Sequence, residues 1–164
     1  MNTEMSRIDA AWNELSGLVE KLGPEALTAR AGDGWTVKDH LAHIGAWESS
    51  LRGLIEGQDR LNAMGVHDPI EESTDVVNEA VFRLHEHETA GQALAYFRDS
   101  HAQLMAVLSE LSDADLAKPY SHYQPSDPDE KRPLRGGVAG NTYEHYAEHI
   151  EWMNQLLSES SAAR

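Results

Sequence analysis

The chain has 164 residues, of which 40% are hydrophobic, so it is long enough for one domain with its own core and too short for two ordinary domains. Its formal net charge is −15, from 28 acidic and 13 basic residues, and a surface this acidic repels nucleic-acid phosphates and anionic membranes. The absence of cysteine excludes disulfides, thiolate metal ligands and a cysteine nucleophile.

The first residues, MNTEMSRIDAAWNEL, include acidic side chains and no continuous apolar stretch, so they do not have the pattern of a secretory signal. No run of the sequence approaches the ~20 apolar residues that a membrane span requires. We therefore expect a cytoplasmic protein, with residues 1–164 forming a single domain and with neither nucleic acid nor membrane as a partner.

Two long segments with apolar residues at helical spacing occupy the first third of the chain. The first contains Ile8 and Leu22 and ends at the helix-breaking pair Gly23-Pro24. The second begins at Thr36, which with the residue three positions later forms the Thr-x-x-Asp pattern of a capping box, and it continues to Gly57. Both segments are predicted to be amphipathic helices.

The third segment has two parts, an apolar-periodic stretch over 76–84 and a longer one that Thr89 and Gln92 start with a second capping pattern. Residues 112–140 are rich in proline and glycine and are predicted to form a long loop, and loops of this length are usually functional or mobile. The pair Gly136-Gly137 in this region lacks the strand-turn-helix context of a phosphate-binding loop.

The fourth segment begins near Asn141-Thr142 and has apolar residues at helical spacing as far as Leu157. Residues 158–164 are predicted to be a frayed tail. No segment shows sustained two-residue alternation. The sequence therefore predicts an all-α fold, a four-helix bundle with long connecting loops.

Histidines carry the main functional signal. His145 and His149 lie four positions apart, which places both rings on one helix face where they can reach a single ion. A third imidazole from the second helix would complete a three-nitrogen site with an open coordination position. His43, His145 and His149 each lie at the edge of the apolar face of their helix. His40 is only three residues from His43, and spacing alone does not decide which of these two is the third ligand. Because the chain holds nine histidines, a chance pair on a polar shoulder is the alternative.

Several other polar and aromatic residues need an interpretation. Glu48 lies near the apolar centre of the second helix, where an unpaired carboxylate is unfavourable, so we expect it to pair with a histidine, cation or tyrosine or to assist catalysis beside a metal-bound water. His101 occupies a core position of the third segment and is predicted to be a hydrogen-bonded core histidine. The histidines predicted to be solvated at the surface are His67, His85 and His87. His122 lies in the long loop, where it either covers a pocket or is an ordinary loop residue. Two tryptophans are predicted to be packing anchors rather than substrate platforms: Trp35 and Trp47.

The segment GWTVKDHLAHIGAWE resembles the second-helix signature of the DinB/YfiT-like four-helix-bundle superfamily, in which a metal-binding histidine follows a tryptophan by eight residues. That spacing leads from Trp35 to His43 and so selects His43 over His40. The His-x-x-x-His of the fourth helix in that superfamily matches His145 and His149. The stretches VVNEAVFRLHEHETAGQALAYFRDSHAQL and GNTYEHYAEHIEWM are most similar to the ClbS/DfsB-type branch.

The resemblance implies a bundle, often dimeric, in which His43, His145 and His149 hold a divalent metal, commonly nickel or zinc. It also implies a small-molecule substrate, with a low-molecular-weight thiol as cosubstrate in the transferase-like relatives. Relatives of the ClbS type instead hydrolyse a reactive genotoxin without an assured metal. Three functions therefore stay open: a metal-dependent transferase or hydrolase, a metal-independent protective hydrolase, and a non-enzymatic small-molecule-binding bundle.

Overall fold

The computed structural model describes residues 3–30, 34–68, 70 and 73–162. Within these residues all the regular structure is helical, apart from one isolated antiparallel bridge between Pro119 and Pro133. The helices, numbered in chain order, are α1 Thr3–Val19, α2 Pro24–Leu27, α3 Val37–Ile55, α4 Arg60–Ala63, α5 Thr74–His85, α6 Ala90–Ser109, α7 Asp113–Leu116, α8 Tyr120–Tyr123, α9 Leu134–Asn141 and α10 Tyr143–Ala162. The predicted all-α fold is confirmed.

Both predicted capping boxes start long helices. The Thr36 side chain accepts a hydrogen bond from the backbone N–H of Asp39, and the Asp39 carboxylate accepts one from the backbone N–H of Thr36 at 2.8 Å. Thr89 and Gln92 make the same reciprocal pair at the start of α6. These bonds satisfy backbone donors that the first helical turn leaves unpaired, so the sequence signal places the start of each helix correctly.

The prediction for residues 112–140 is wrong in part, because this region contains α7, α8 and α9. The two ends of its central loop are held together by backbone hydrogen bonds from Tyr120 to Arg132 at 2.9 Å and from Leu134 to Lys118 at 2.8 Å. Four-residue helices are too short to show apolar periodicity, and α9 contains three glycines, so neither pattern nor propensity predicts them. The tail is also helical as far as Ala162, and the last two residues lie outside the described range.

Helix α3 lies at the centre of the molecule and packs against α4, α5, α6, α9 and α10. On one side it faces the main apolar core, and on the other it faces a smaller apolar cluster formed by Ala46, Met64, Val66, Val77 and Val81. Because both sides of α3 are covered, most of its polar side chains are buried as well. Each buried polar group on this helix therefore needs a partner, a ligand or a solvent-filled cavity.

No helix in the described part of the chain is both long enough and apolar enough to cross a membrane.

Candidate metal centre

Two helix starts bring the predicted histidines together. The Thr36 cap fixes the beginning of α3, so that His43 lies in its second turn. Helix α10 begins at Tyr143, so that His145 lies in its first turn and His149 one turn further on. Because α3 and α10 pack against each other near these starts, rings that are about a hundred residues apart in sequence meet in one place.

The three rings meet through their Nε2 atoms. Nε2 of His145 lies 3.2 Å from Nε2 of His43 and 3.0 Å from Nε2 of His149. One ligand atom of each histidine lies within 4.8 Å of the others, an arrangement that could hold a metal ion. His149 is fully buried and His43 is 6% exposed, whereas His145 is partly exposed. These three residues are called the three-histidine cluster below.

Hydrogen bonding within the cluster does not satisfy its nitrogen atoms. A neutral imidazole has one N–H and one in-plane lone pair, so Nε2 of His145 cannot bond well to both of its neighbours at once. The Nδ1 atoms of His43 and His145 are buried and have no hydrogen-bond partner among the described residues. A single cation would instead accept the lone pairs of the three Nε2 atoms, although it would not reach the two Nδ1 atoms. Nitrogen ligands about 2.05 Å from an ion lie ~2.9–3.3 Å apart at bond angles of 90–109°. The two distances from Nε2 of His145, 3.2 Å and 3.0 Å, fall in this range.

Burial keeps the cluster neutral. Desolvation lowers the pKa of His145 to about 4, and desolvation together with the charges of His145 and His40 lowers the pKa of His43 to about 3. The pKa of His149 is lowered further, by burial first and by the three neighbouring histidines second. The rings are therefore unprotonated at neutral pH, which is the form that ligates metals.

His40, the residue that spacing alone could not separate from His43, lies behind the cluster. Its Nδ1 is 2.8 Å from Nδ1 of His149, and the ring is 8% exposed. Burial lowers its pKa to about 4, against the opposing charge of Asp39. One of the two Nδ1 atoms must donate. If Nε2 of His149 presents its lone pair to an ion, then Nδ1 of His149 carries the hydrogen and His40 accepts it.

The cluster forms part of the wall of a cavity of about 900 Å³. Trp35 and Trp47 also line this cavity, and their contacts with Phe82 and with the smaller apolar cluster agree with their interpretation as packing anchors. The ring of Trp35 is stacked parallel to that of Phe82, with centroids 6.0 Å apart, and is tilted relative to that of His43, with centroids 4.9 Å apart. Trp47 donates a hydrogen bond through Nε1 to Asn78 at 3.0 Å. The cavity therefore has rigid aromatic walls beside the histidines.

Glu48 is fully buried in a separate network and is not among the residues that line the cavity. Its carboxylate is 2.9 Å from Nδ1 of His101, accepts a hydrogen bond from Ser100 at 3.2 Å, and accepts another from the hydroxyl of Tyr146. Complete burial raises the pKa of Glu48, although these partners oppose the shift. The ring of Trp12 stacks on His101 with centroids 3.5 Å apart. The structure thus provides the pairing expected for Glu48 and does not join it to the three-histidine cluster by a hydrogen bond.

The remaining histidines agree with the sequence-based interpretation in all cases but one. His101 is a buried, hydrogen-bonded core residue as predicted. His67 and His87 are exposed, and His122 is exposed against Tyr123 outside the cavity lining. His85 is 7% exposed, not solvated as predicted, because its ring stacks on Tyr96 and lies beside Glu88.

Sequence reasoning missed much of the cavity wall, including Arg60, Tyr120, Gly137 and Trp152. Arg60, Tyr120 and Gly137 lie on the short helices α4, α8 and α9, whose sequences show no apolar periodicity. The pair Gly136-Gly137 was a usable signal, because a Cβ atom added at Gly137 would overlap the hydroxyl of Tyr120. A glycine is required there for close approach, not for binding phosphate.

A family model described as the DinB superfamily matches residues 7–153. Curated proteins gave no match. An uncharacterised protein from Escherichia coli UTI89 has a similar structure, with a TM-score of 0.72 and 13% identity over 96% of this chain and 92% of that one.

Two further solved structures are similar. One is the colibactin self-resistance protein ClbS in complex with a dsDNA, with a TM-score of 0.70 and 16% identity over 94% of each chain. The other is a protein from Streptococcus pneumoniae, with a TM-score of 0.70 and 13% identity over 93% of this chain and 87% of that one. At these identities the likeness shows the fold alone, whereas the family model spans most of the sequence, and the chain therefore belongs to the DinB superfamily.

Proposed function

We propose that this protein is a metal-dependent enzyme that acts on a small electrophilic molecule bound in the cavity. The observation that carries the proposal is the convergence of three Nε2 atoms, from His43, His145 and His149, at the cavity wall. A divalent cation held there, nickel or zinc by the resemblance, supplies Lewis-acid chemistry and lowers the pKa of a bound water or thiol. Since the chain has no cysteine, any thiol comes from a cosubstrate.

The surrounding residues prepare the ligand atoms. His40 accepts the Nδ1 hydrogen of His149 and so directs the lone pair of Nε2 toward the ion. Trp35 packs against both His40 and His43 and limits the orientations of their rings. On the α10 side, the partly exposed ring of Trp152 lies edge-on to His149, with centroids 4.9 Å apart. Ring positions held in this way reduce the conformational freedom that metal binding would otherwise remove.

Glu48 is the weaker of the sequence-based assignments, and we propose a different role for it. A general base must come within hydrogen-bond reach of the proton it takes, about 2.6–3.2 Å or through one water. Glu48 is fully buried, and its oxygen atoms already contact His101, Ser100 and Tyr146. We propose that it fixes α3 to α6 and α10 behind the site rather than taking part in proton transfer.

The decisive experiment measures bound metal. The protein is purified without a histidine tag, its metal content is determined, and the measurement is repeated with His145→Ala. We expect about one divalent ion per chain in the wild type and a loss of well over tenfold in affinity in the variant, because changes to residues that only orient a ligand already weaken binding ~10–100-fold. His87→Ala is the matched control, since the His87 side chain is 93% exposed. Wild-type protein without metal, or equal metal content in His145→Ala, would contradict the proposal.

A metal-independent protective hydrolase is the second candidate, and the shared fold with ClbS is the observation that favours it. Reaction of the protein with model electrophiles, such as epoxides, with and without a chelator and added thiol, separates the two candidates. Turnover that persists after chelation supports the metal-independent enzyme. Turnover that requires both metal and added thiol supports a transferase.

The expectation that the protein binds no nucleic acid needs its own test, because ClbS has been crystallised with a dsDNA. The net charge of −15 opposes binding to a polyanion. Fluorescence anisotropy with a labelled duplex at low salt should show no saturable binding. The dimer and the cytoplasmic location also remain predictions. Light scattering would measure the oligomeric state.

A further inference from the structure

A basic group lies in the cavity at a distance from the histidines. Arg60, the first residue of α4, is partly buried, lines the cavity and donates a hydrogen bond through Nε to Ser50 at 3.0 Å. Among the described residues, no carboxylate lies within ion-pair distance of Arg60. Its terminal N–H groups are therefore free to bind another acceptor.

Helix α3 extends from the three-histidine cluster to the part of the cavity where Arg60 lies. His43, Trp47 and Ser50 all line the cavity, and their spacing of four and three residues places them on one face of α3. Seven residues at 1.5 Å per residue separate His43 from Ser50 by roughly 10 Å along the helix. A ligand that lies along this face would place one end at the histidines, its middle against the Trp47 ring, and its other end at Arg60.

Tyr120 and the glycines of α9 complete the basic end. Tyr120 is 7% exposed, its hydroxyl packs directly on Gly137, and both residues line the cavity. Burial raises the pKa of Tyr120, and the nearby charges of Arg60 and Arg132 oppose the shift, so the phenol is a hydrogen-bond donor at neutral pH. Arg132 is already paired with Glu130 at 2.6 Å. The net charge available to a ligand at this end is therefore that of Arg60 alone.

We propose that the cavity binds a monoanionic amphipathic molecule, with its carboxylate held by Arg60 and the Tyr120 hydroxyl and its apolar body against Trp47. The planar guanidinium presents two parallel N–H groups that match the two oxygens of a carboxylate. A phosphate monoester carries a second negative charge, which this end does not neutralise. The inference rests on the proposed function for the reaction at the histidines and names the class of substrate or cosubstrate that reaches them.

The test uses three probes with the same phenyl and alkyl body: 4-phenylbutanoate, its neutral analogue 4-phenylbutanamide, and 4-phenylbutyl phosphate. Binding to the 164-residue chain is measured by calorimetry in the presence of a chelator, because a carboxylate could otherwise coordinate a bound ion. We expect the acid to bind about ten- to a hundredfold more tightly than the amide, as for hydrogen bonds to a charged group, and more tightly than the phosphate.

Arg60→Gln should remove the preference for the acid, and Arg98→Gln, at an exposed position of α6 outside the cavity lining, should leave it unchanged. Equal binding of acid and amide, an acid preference that survives in Arg60→Gln, or tighter binding of the phosphate would overturn the inference. Arg60→Lys retains the positive charge but lacks the two parallel N–H groups of the guanidinium, and it is the second variant if Arg60→Gln does not fold. It should weaken acid binding at least about threefold, and unchanged binding counts against the site. Metal content is measured separately, so failure of the metal proposal would leave an Arg60-dependent acid preference visible.

Discussion

Helices α3 and α10 build two buried polar regions that differ in how far their polar atoms are satisfied. Behind the cavity, Glu48 of α3 and Tyr146 of α10 contact each other and His101, and every carboxylate oxygen of Glu48 has a protein partner. At the cavity, His43 and His145 come from the same two helices, yet each has a buried Nδ1 without a partner among the described residues. Their Nε2 atoms contact one another instead.

The difference agrees with the structural role that we propose for Glu48 and with the metal-binding role that we propose for the three-histidine cluster. A closed hydrogen-bond network in a low-dielectric core stabilises the fold as long as every member is present. Three nitrogen lone pairs that point at one another do not stabilise the fold by themselves. Their arrangement becomes favourable only when a cation binds between them. Four changes break or sharpen this contrast.

The largest expected effect is on the closed network. Glu48→Ala leaves His101 and Tyr146 buried without their shared acceptor, and we expect a loss of about 3–5 kcal/mol in the free energy of unfolding, measured by urea titration. Glu48→Gln keeps the shape and one acceptor and should lose less. The folded fraction of either variant should still bind metal. A loss below about 1 kcal/mol in Glu48→Ala would show that the network is not structural.

The next effect concerns the contact that joins His40 to the cluster. His40→Phe removes the acceptor of the His149 Nδ1 hydrogen and should weaken metal binding about 10–100-fold in a competition titration with a chelator. His40→Gln offers an amide oxygen to the same hydrogen and should restore part of the affinity. A purely structural role for His40 predicts no difference between the two variants at equal stability, and the absorption spectrum of the Co²⁺ form gives a second readout.

The cap at the start of α3 should have a moderate effect on both regions. Thr36→Ala removes the side-chain acceptor of the capping box and should lower the free energy of unfolding by about 1 kcal/mol in thermal or urea denaturation. Thr36→Ser retains the hydroxyl and is the control. Equal losses in both variants would mean that the hydroxyl does not stabilise the helix start.

The smallest effect should be at the open cluster in the absence of metal. His145→Leu replaces a ring with an unsatisfied nitrogen by an apolar side chain, so with a chelator present the free energy of unfolding should change by less than about 1 kcal/mol. Addition of Zn²⁺ at 100 times its dissociation constant should then stabilise the wild type by about 2.7 kcal/mol and the variant by much less. A large loss of stability in the chelated variant would mean that the cluster is part of the structural network.

Much of the site was predictable because its signals are local. The Thr-x-x-Asp pattern identified the start of α3, and the spacing of His145 and His149 placed both rings on one face of α10. The choice between His40 and His43 was not available from periodicity, since both face the neighbouring helix. It required a family resemblance, and the structure adds that both residues lie at the site, with His43 in the cluster and His40 in contact with His149.

Other features were not predictable because they depend on contacts between distant segments. His85 has the polar neighbours of a surface residue in sequence, but Tyr96 covers it in the fold. Arg60 and Tyr120 lie on helices of four residues, and nothing in their local sequence shows that they border the same cavity as His43.

The sequence by itself determined the four long helices, the starts of α3 and α6 and the apolar faces that pack, because capping and periodicity act within a few residues. Only the tertiary structure decided which polar side chains found partners. Burial assigned Glu48 to a closed network and left the three-histidine cluster and Arg60 facing a shared cavity, because desolvation and hydrogen bonding depend on atoms brought together from separate helices.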